Sequence, residues 1–236
     1  MQIIKYRWEK WRPLFIIRDD GKLTKLDLLN NDISFKLGKK RCIGYYKSGK
    51  YRPCPDNVEI ESGWSCNDCV KKDDFFMCVK CDGSGCINEK QRKSCKKNKY
   101  FIYLASFDSI LKVGISYEFR LLERFVEQGA DMAAKIAVVK DGKEARQIEQ
   151  RIKKYLNITD RVRGESKNIF GDPNKSIVNI LDSIDKLMKA GFDLIEPEIF
   201  DLRRYYNLQN ITKHPSLLTI KDDIKLIGNV FFISTR

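Results

Sequence analysis

Eight cysteines, six of them crowded between Cys66 and Cys95, limit what this 236-residue chain can fold into more than any other feature. They fall as Cys66-Asn-Asp-Cys69, Cys78-Val-Lys-Cys81, Cys86 and Cys95, with Cys42 and Cys54 upstream. A Cys-x-x-Cys pair turns two thiolates toward one point, so two such knuckles eight residues apart can close a tetrahedron around Zn²⁺. The favoured set is therefore Cys66, Cys69, Cys78 and Cys81, which leaves Cys42, Cys54, Cys86 and Cys95 for a second ion. Knuckles are often interleaved in zinc domains, so spacing alone leaves the pairing open. A disulfide framework competes with this reading. It is disfavoured because the Lys-rich start has no signal-peptide pattern and reducing compartments keep thiols free, which makes the cytoplasm the expected location. Four thiolates also suit an iron–sulfur cluster, but the tight knuckle is the geometry that structural zinc prefers. A closed four-thiolate shell has no position left for water, so the expected zinc serves folding and not catalysis.

The formal charge of +13 is placed very unevenly. Residues 33–55 carry Lys36, Lys39, Lys40, Arg41, Lys47, Lys50 and Arg52 with no acidic residue, and residues 90–99 carry Lys90, Arg92, Lys93, Lys96, Lys97 and Lys99. Without those thirteen, the remaining 32 cations match the 32 carboxylates, so the whole excess flanks the cysteines. If zinc folds residues 42–95 into one unit, both runs are expected to come together and attract a polyanion through counterion release. Tyr45, Tyr46 and Tyr51 lie among the first run, where rings can stack on unpaired bases while cations meet phosphates. Nucleic acid is the expected partner, RNA ahead of DNA. A membrane surface is not, since no amphipathic basic helix accompanies the charge and no apolar run of spanning length occurs.

The remaining pattern is α+β. Pro13–Ile17 and Leu23–Leu28 flank Asp19-Asp-Gly21, a hairpin signal. Tyr100–Ser106 and Ile110–Ile115 read as paired strands, and Phe119, Leu122, Phe125 and Val126 as a helix stripe ended at Gly129. Met132–Val139 returns to strand. Ala145, Ile148, Ile152 and Leu156 then mark a helix that starts after Asp141-Gly142. Asp172-Pro173 caps a further helix to about Lys189, a last strand is expected over Ile224–Ile233, and the lone histidine, His214, is given no role. The expected division is an N-terminal β segment (1–41), a zinc module (42–97), a β-β-α-β-α domain (98–160) and a mixed C-terminal segment (161–236).

Within the third of these, Ile102-Tyr103, Lys112-Val-Gly114, Arg120, Arg124 and Ala145-Arg-Gln-Ile-Glu149 resemble the GIY-YIG endonuclease superfamily. More closely, Leu111-Lys-Val-Gly-Ile-Ser116, Glu127-Gln-Gly-Ala130 and Ala145-Arg-x-x-Glu149, downstream of a cysteine cluster, resemble an uncharacterised prokaryotic family of zinc proteins with a GIY-YIG-like domain. The superfamily hydrolyses phosphodiesters around one divalent ion. The resemblance implies that Tyr103 helps activate water, that Glu149 holds Mg²⁺, that Arg120 or Arg124 stabilises phosphorane charge, and that Lys112 stands at the second tyrosine of the motif. Two positions depart from the pattern: the first motif reads Phe101-Ile102-Tyr103, and Leu122 stands where an arginine belongs. Arg146, three residues before Glu149, also has the spacing of an ordinary helix ion pair. The charge distribution supports an RNA-binding protein, of the ribosome or of transfer RNA, with the GIY-YIG-like domain as a second contact surface. The alternative is a Mg²⁺-dependent nuclease.

Overall fold

The computed structural model describes residues 1–29, 31–163, 166–168, 170–206 and 225–229. The protein is α+β, in two compact units that divide between Lys80 and Cys81. The cysteine-rich stretch expected to be one module is thus shared between them.

The first unit opens on an antiparallel meander of β1 (Gln2–Glu9), β2 (Arg12–Asp19) and β3 (Lys22–Asp27). Asp20 and Gly21 turn β2 into β3 with φ of 44° and 78°, the paired left-handed conformation whose twist matches the flanking strands. Lys10 and Trp11 make the same kind of turn between β1 and β2, with φ of 49° and 64°. Ile4, Trp8, Leu14, Ile16 and Leu28 are buried here. Next, β4 (Asp32–Lys36) pairs antiparallel with β11 (Lys225–Asn229), Lys36 opposite Lys225. That strand falls inside the expected Ile224–Ile233; the rest of that range and His214 lie outside the described residues. A short hairpin of β5 (Tyr45–Lys47) and β6 (Lys50–Arg52) and the helices α1 (Asn67–Lys72) and α2 (Phe76–Val79) complete the unit.

The second unit begins at Cys81 and contains α3 (Glu89–Lys97), β7 (Tyr100–Phe107), β8 (Ile110–Tyr117), α4 (Leu121–Glu127), β9 (Met132–Val139), α5 (Gly142–Leu156), α6 (Pro173–Lys189) and β10 (Glu198–Asp201). The expected β-β-α-β-α order is present. The four strands form one antiparallel sheet in the order β10-β9-β7-β8, and all eight residues of the inner strand β7 are buried. Such a strand needs apolar residues on both faces. Tyr100, Ile102 and Leu104 share a core with Ala145 and Ile152 of α5 and Ile180, Ile184 and Leu187 of α6. On the alternate positions, Tyr103 meets Phe125 of α4 edge to face at 4.9 Å. Asp141 and Asp172 cap α5 and α6, accepting from the backbone N–H of Lys143 and Asn174. The helix whose expected stripe opens at Phe119 begins only at Leu121, because Glu118–Arg120 form a 3₁₀ turn first. No helix among the described residues is long and apolar enough to cross a membrane.

Candidate functional site

Two places gather chemistry-bearing side chains, one in each unit.

In the first unit, Cys42, Cys54, Cys66 and Cys69 bring their sulfurs within 4.8 Å of one another, and Cys42, Cys54 and Cys69 are buried. Tetrahedral thiolates at about 2.3 Å from an ion sit about 3.8 Å apart. The Cys54 and Cys66 sulfurs, 4.0 Å apart, are near that spacing and far beyond disulfide length, and all eight cysteines are free thiols. The donor set therefore fits a metal ion. This corrects the expected set: Cys66 and Cys69 are joined by Cys42 and Cys54 in place of Cys78 and Cys81. The cause is Gly44, whose φ of 91° folds the segment after Cys42 so closely onto the Arg52–Cys54 backbone that a Cβ would lie 2.1 Å from the Arg52 carbonyl oxygen. Cys66 and Cys69 enter from the start of α1, and the Cys66 and Gly44 backbone N–H groups donate to Cys42 Sγ at 3.1 and 3.4 Å. Burial raises the Cys42 and Cys69 thiols; it also acts to raise Cys54, but the backbone N–H groups of Val58 and Asp56 together with the Cys42 and Cys69 thiols bring that one down to about 7. Among the described residues no other group of three or more such ligands converges. Cys78 lies in α2, whereas Cys81, Cys86 and Cys95 belong to the second unit.

The expected nucleic-acid contacts divide in a similar way. Lys36, Lys39, Lys40, Arg41, Lys47, Lys50 and Arg52 are all exposed. Lys39 and Arg41 both reach Glu59, at 3.0 and 2.8 Å. The tyrosines are more engaged than the sequence suggests. Tyr45 packs against the cysteine cluster, Tyr46 and Tyr51 lie edge to face at 5.8 Å, and the Tyr51 hydroxyl donates to the Ile43 carbonyl at 2.6 Å. The second cationic run sits in the other unit. Lys93, Lys96 and Lys97 are exposed on α3, but Arg92 donates both ends of its guanidinium to Asp141 at 2.6 Å, joining α3 to the cap of α5. Arg92 is thereby a structural residue, and Asp141 is held below its usual range by that bond.

In the second unit, Tyr103 and Lys112 come together through a residue that sequence reasoning did not assign. Lys112 Nζ donates to Gln128 Oε1 at 2.6 Å, and Gln128 Nε2 donates to the Tyr103 hydroxyl at 2.9 Å and to the Arg124 carbonyl at 2.8 Å. That carbonyl can only accept, which fixes which end of the amide faces each partner. Tyr103 and Lys112 are 1 % and 8 % exposed, and Glu149 is 2 % exposed. Gly114 lies opposite Tyr103 across the sheet, and a Cβ there would come within 2.5 Å of the phenol oxygen. Burial pushes Tyr103 up and pushes Lys112 down to about 8, helped by the charge of Arg124 and opposed by that of Glu149. Lys167 donates to the Gln128 carbonyl and is itself held down to about 8 by burial and by Lys112. Of the two candidate arginines, Arg124 is the one whose charge bears on Tyr103 and Lys112. Arg120 reaches Glu127 at 2.7 Å. Glu149 pairs with Arg146 at 2.7 Å, the helix pairing that the spacing allowed, yet its burial sets it apart from a surface ion pair. The signal for Gln128 was a polar pair, Glu127-Gln128, between the apolar stripe of α4 and Gly129.

Together these define an α+β protein with a four-cysteine group able to hold a metal ion and a buried, hydrogen-bonded Tyr–Gln–Lys series. The chain belongs to a family described as a protein of unknown function, DUF2797, whose model matches residues 31–219. No curated protein and no solved structure matches it.

Proposed function

We propose that the protein binds RNA, ribosomal or transfer, through the cationic module tied down by Cys42, Cys54, Cys66 and Cys69, with zinc as the ion they hold. Four thiolates at tetrahedral spacing suit zinc, and its binding would supply folding free energy to a small module. The observation that carries the reading is the exposure of all seven cations of the first run on the chain that this cluster fixes. Residues 36–72 hold nine cations against four carboxylates, and Glu59 partly neutralises Lys39 and Arg41. Lys40, Lys47, Lys50 and Arg52 are the better phosphate contacts. The sheet unit, with Lys93, Lys96 and Lys97 exposed on α3, supplies a second contact surface. Titration of RNA against salt tests this: Lys40, Lys47 and Lys50 changed together to Gln should flatten the slope by about one unit per lost phosphate contact. Failure of the metal-loaded protein to bind any RNA or DNA at low ionic strength would overturn the reading. Crosslinking in cells followed by sequencing identifies which RNA is held.

One arrangement favours a second reading, phosphodiester hydrolysis in the second unit: the bonded series Tyr103–Gln128–Lys112, with buried Glu149 and the exposed Arg124 bearing on it electrostatically. It accords with the GIY-YIG resemblance. Glu149 would hold Mg²⁺, for which one carboxylate plus waters is an ordinary donor set, and the ion would supply Lewis-acid stabilisation of phosphate charge. Lys112, held down to about 8, keeps its proton at neutral pH and gives it up just above, where it becomes available as a base far more readily than an ordinary lysine. Burial keeps the Tyr103 phenol protonated, and because its oxygen accepts from Gln128 its own proton remains to orient water, while Arg124 offers positive charge to the phosphate. Assays of RNA and DNA cleavage with Mg²⁺ or Mn²⁺ test it, with Glu149→Gln as the inactive control. A wild type that cuts nothing across a broad panel removes it and leaves the binding reading standing.

A further inference from the structure

We propose that Trp64 is the stacking platform for an unpaired base, so that the cationic module prefers single-stranded over double-stranded nucleic acid. This rests on the nucleic-acid reading above and narrows its substrate class.

The three tryptophans differ sharply in environment: Trp8 is 3 % exposed, Trp11 43 % and Trp64 73 %. An indole is the largest apolar side chain, and leaving most of it in water forgoes about as much burial energy as any residue can contribute. Its backbone, by contrast, is firmly held. The Trp64 carbonyl accepts from the Ile43 N–H at 2.9 Å, the Ser65 hydroxyl donates to the Gly44 carbonyl at 2.6 Å, and Cys66 enters the thiol cluster two residues later. The ring is thus presented from a fixed backbone point, and a ligand has only its side-chain rotamer to order.

Its surroundings indicate what the ligand is. The segment hydrogen-bonded to Trp64 follows directly on Lys40 and Arg41, and Gly44, beside Ser65, lies against the Arg52 carbonyl. The exposed cations Lys40, Arg41 and Arg52 therefore lie in chain segments adjoining Ile43 and Gly44, to which the platform's backbone is bonded. An aromatic plane with cations beside it matches a nucleotide, whose base offers a π face and whose phosphate offers charge. A base stacked within a duplex cannot offer that face without being extruded. The tyrosines are poorer platforms here. Tyr45 packs on the cysteines, and Tyr46 and Tyr51 are half-buried and turned edge to face toward each other.

Anisotropy titrations of the metal-loaded full chain with labelled oligouridylate and a duplex of matched length, at low ionic strength, test the proposal. Trp64→Ala should weaken single-strand binding about tenfold, change duplex binding less than about twofold, and leave the salt slope unaltered because no cation is lost. Trp64→Phe should recover most of the affinity. Equal single-strand affinity in Trp64→Ala and wild type, or an equal loss on the duplex, overturns the platform while the cationic interface stands. A wild type that binds neither probe overturns both. If Trp64→Ala fails to hold its metal, the decisive protein is Trp11→Phe, in which the remaining indole besides Trp64 is the buried Trp8. Oligouridylate should then quench its fluorescence and inorganic polyphosphate should not. Equal quenching by both overturns stacking.

Discussion

Replacing Lys112 by methionine keeps most of the side chain's volume and removes its charge, which makes it a direct measure of what burying that ammonium costs. In the folded protein Lys112 is held down to about 8 from its ordinary 10.5, mainly by burial. Such a drop corresponds to about 3 kcal/mol between the two protonation states. Below pH 8 both folded and unfolded chains carry the proton and the penalty is present in full. Between about 8 and 10.5 the unfolded chain binds more protons than the folded one, so stability should rise with pH across that window, by about 3 kcal/mol from this residue. Lys112→Met should lack that rise and retain the part due to Lys167, which is also lowered. At pH 7 the net change is expected to stay within about 2 kcal/mol, because relief of the charge is offset by leaving Gln128 Oε1 without its donor. The slope therefore discriminates better than the absolute stability. Trp8, Trp11 and Trp64 all lie in the first unit, so urea unfolding of the second should be followed by circular dichroism, with tryptophan fluorescence as the control for the first. Parallel stability–pH curves for variant and wild type would refute the account of Lys112 as an ammonium held out of water.

Three further outcomes are expected. Cys69→Ser should cost one bound metal and collapse the first unit's tryptophan emission, whereas Cys78→Ser should keep that ion; elemental analysis of both variants separates the four-cysteine group from the knuckle pairing. Gly114→Ala should drive the Tyr103 ring from its position, since the new methyl would lie 2.5 Å from the phenol oxygen, and should destabilise the second unit by about 1–3 kcal/mol in chemical denaturation. Arg92→Ala should lower the thermal midpoint of the second unit, read by circular dichroism, and leave nucleic-acid affinity unchanged, because its guanidinium already serves Asp141.

Local chemistry made much of the second unit legible. Asp141 and Asp172-Pro173 are caps whose side chains satisfy the first backbone donors of α5 and α6, and the stripe through Ala145, Ile148, Ile152 and Leu156 could be buried only by a helix. Asp20-Gly21 likewise specified a hairpin. Lys10-Trp11 did not, because neither residue favours a positive φ and the paired strands impose it. The metal group was half legible: Cys66 and Cys69 share a knuckle, but their partners arrive through the fold at Gly44, a contact that spacing does not encode. Arg92 looked like one more cation in a run, since its partner Asp141 lies 49 residues away. Gln128, at the end of α4, resembled an exposed helix terminus, and its role depends on two strands that bring Tyr103 and Lys112 to the same amide.

The pairing of β4 with β11 has a consequence for how the chain acquires its structure. Lys36 and Lys225 face each other although they lie 189 residues apart in the chain. Closing so long a loop is entropically costly and slow compared with forming the meander or the β5–β6 hairpin, whose strands are adjacent in sequence. During synthesis the edge of β4 must wait for a strand that follows it by 189 residues, while most of the second unit is made in the interval. An unpaired edge over that time is an invitation to pair with another nascent chain.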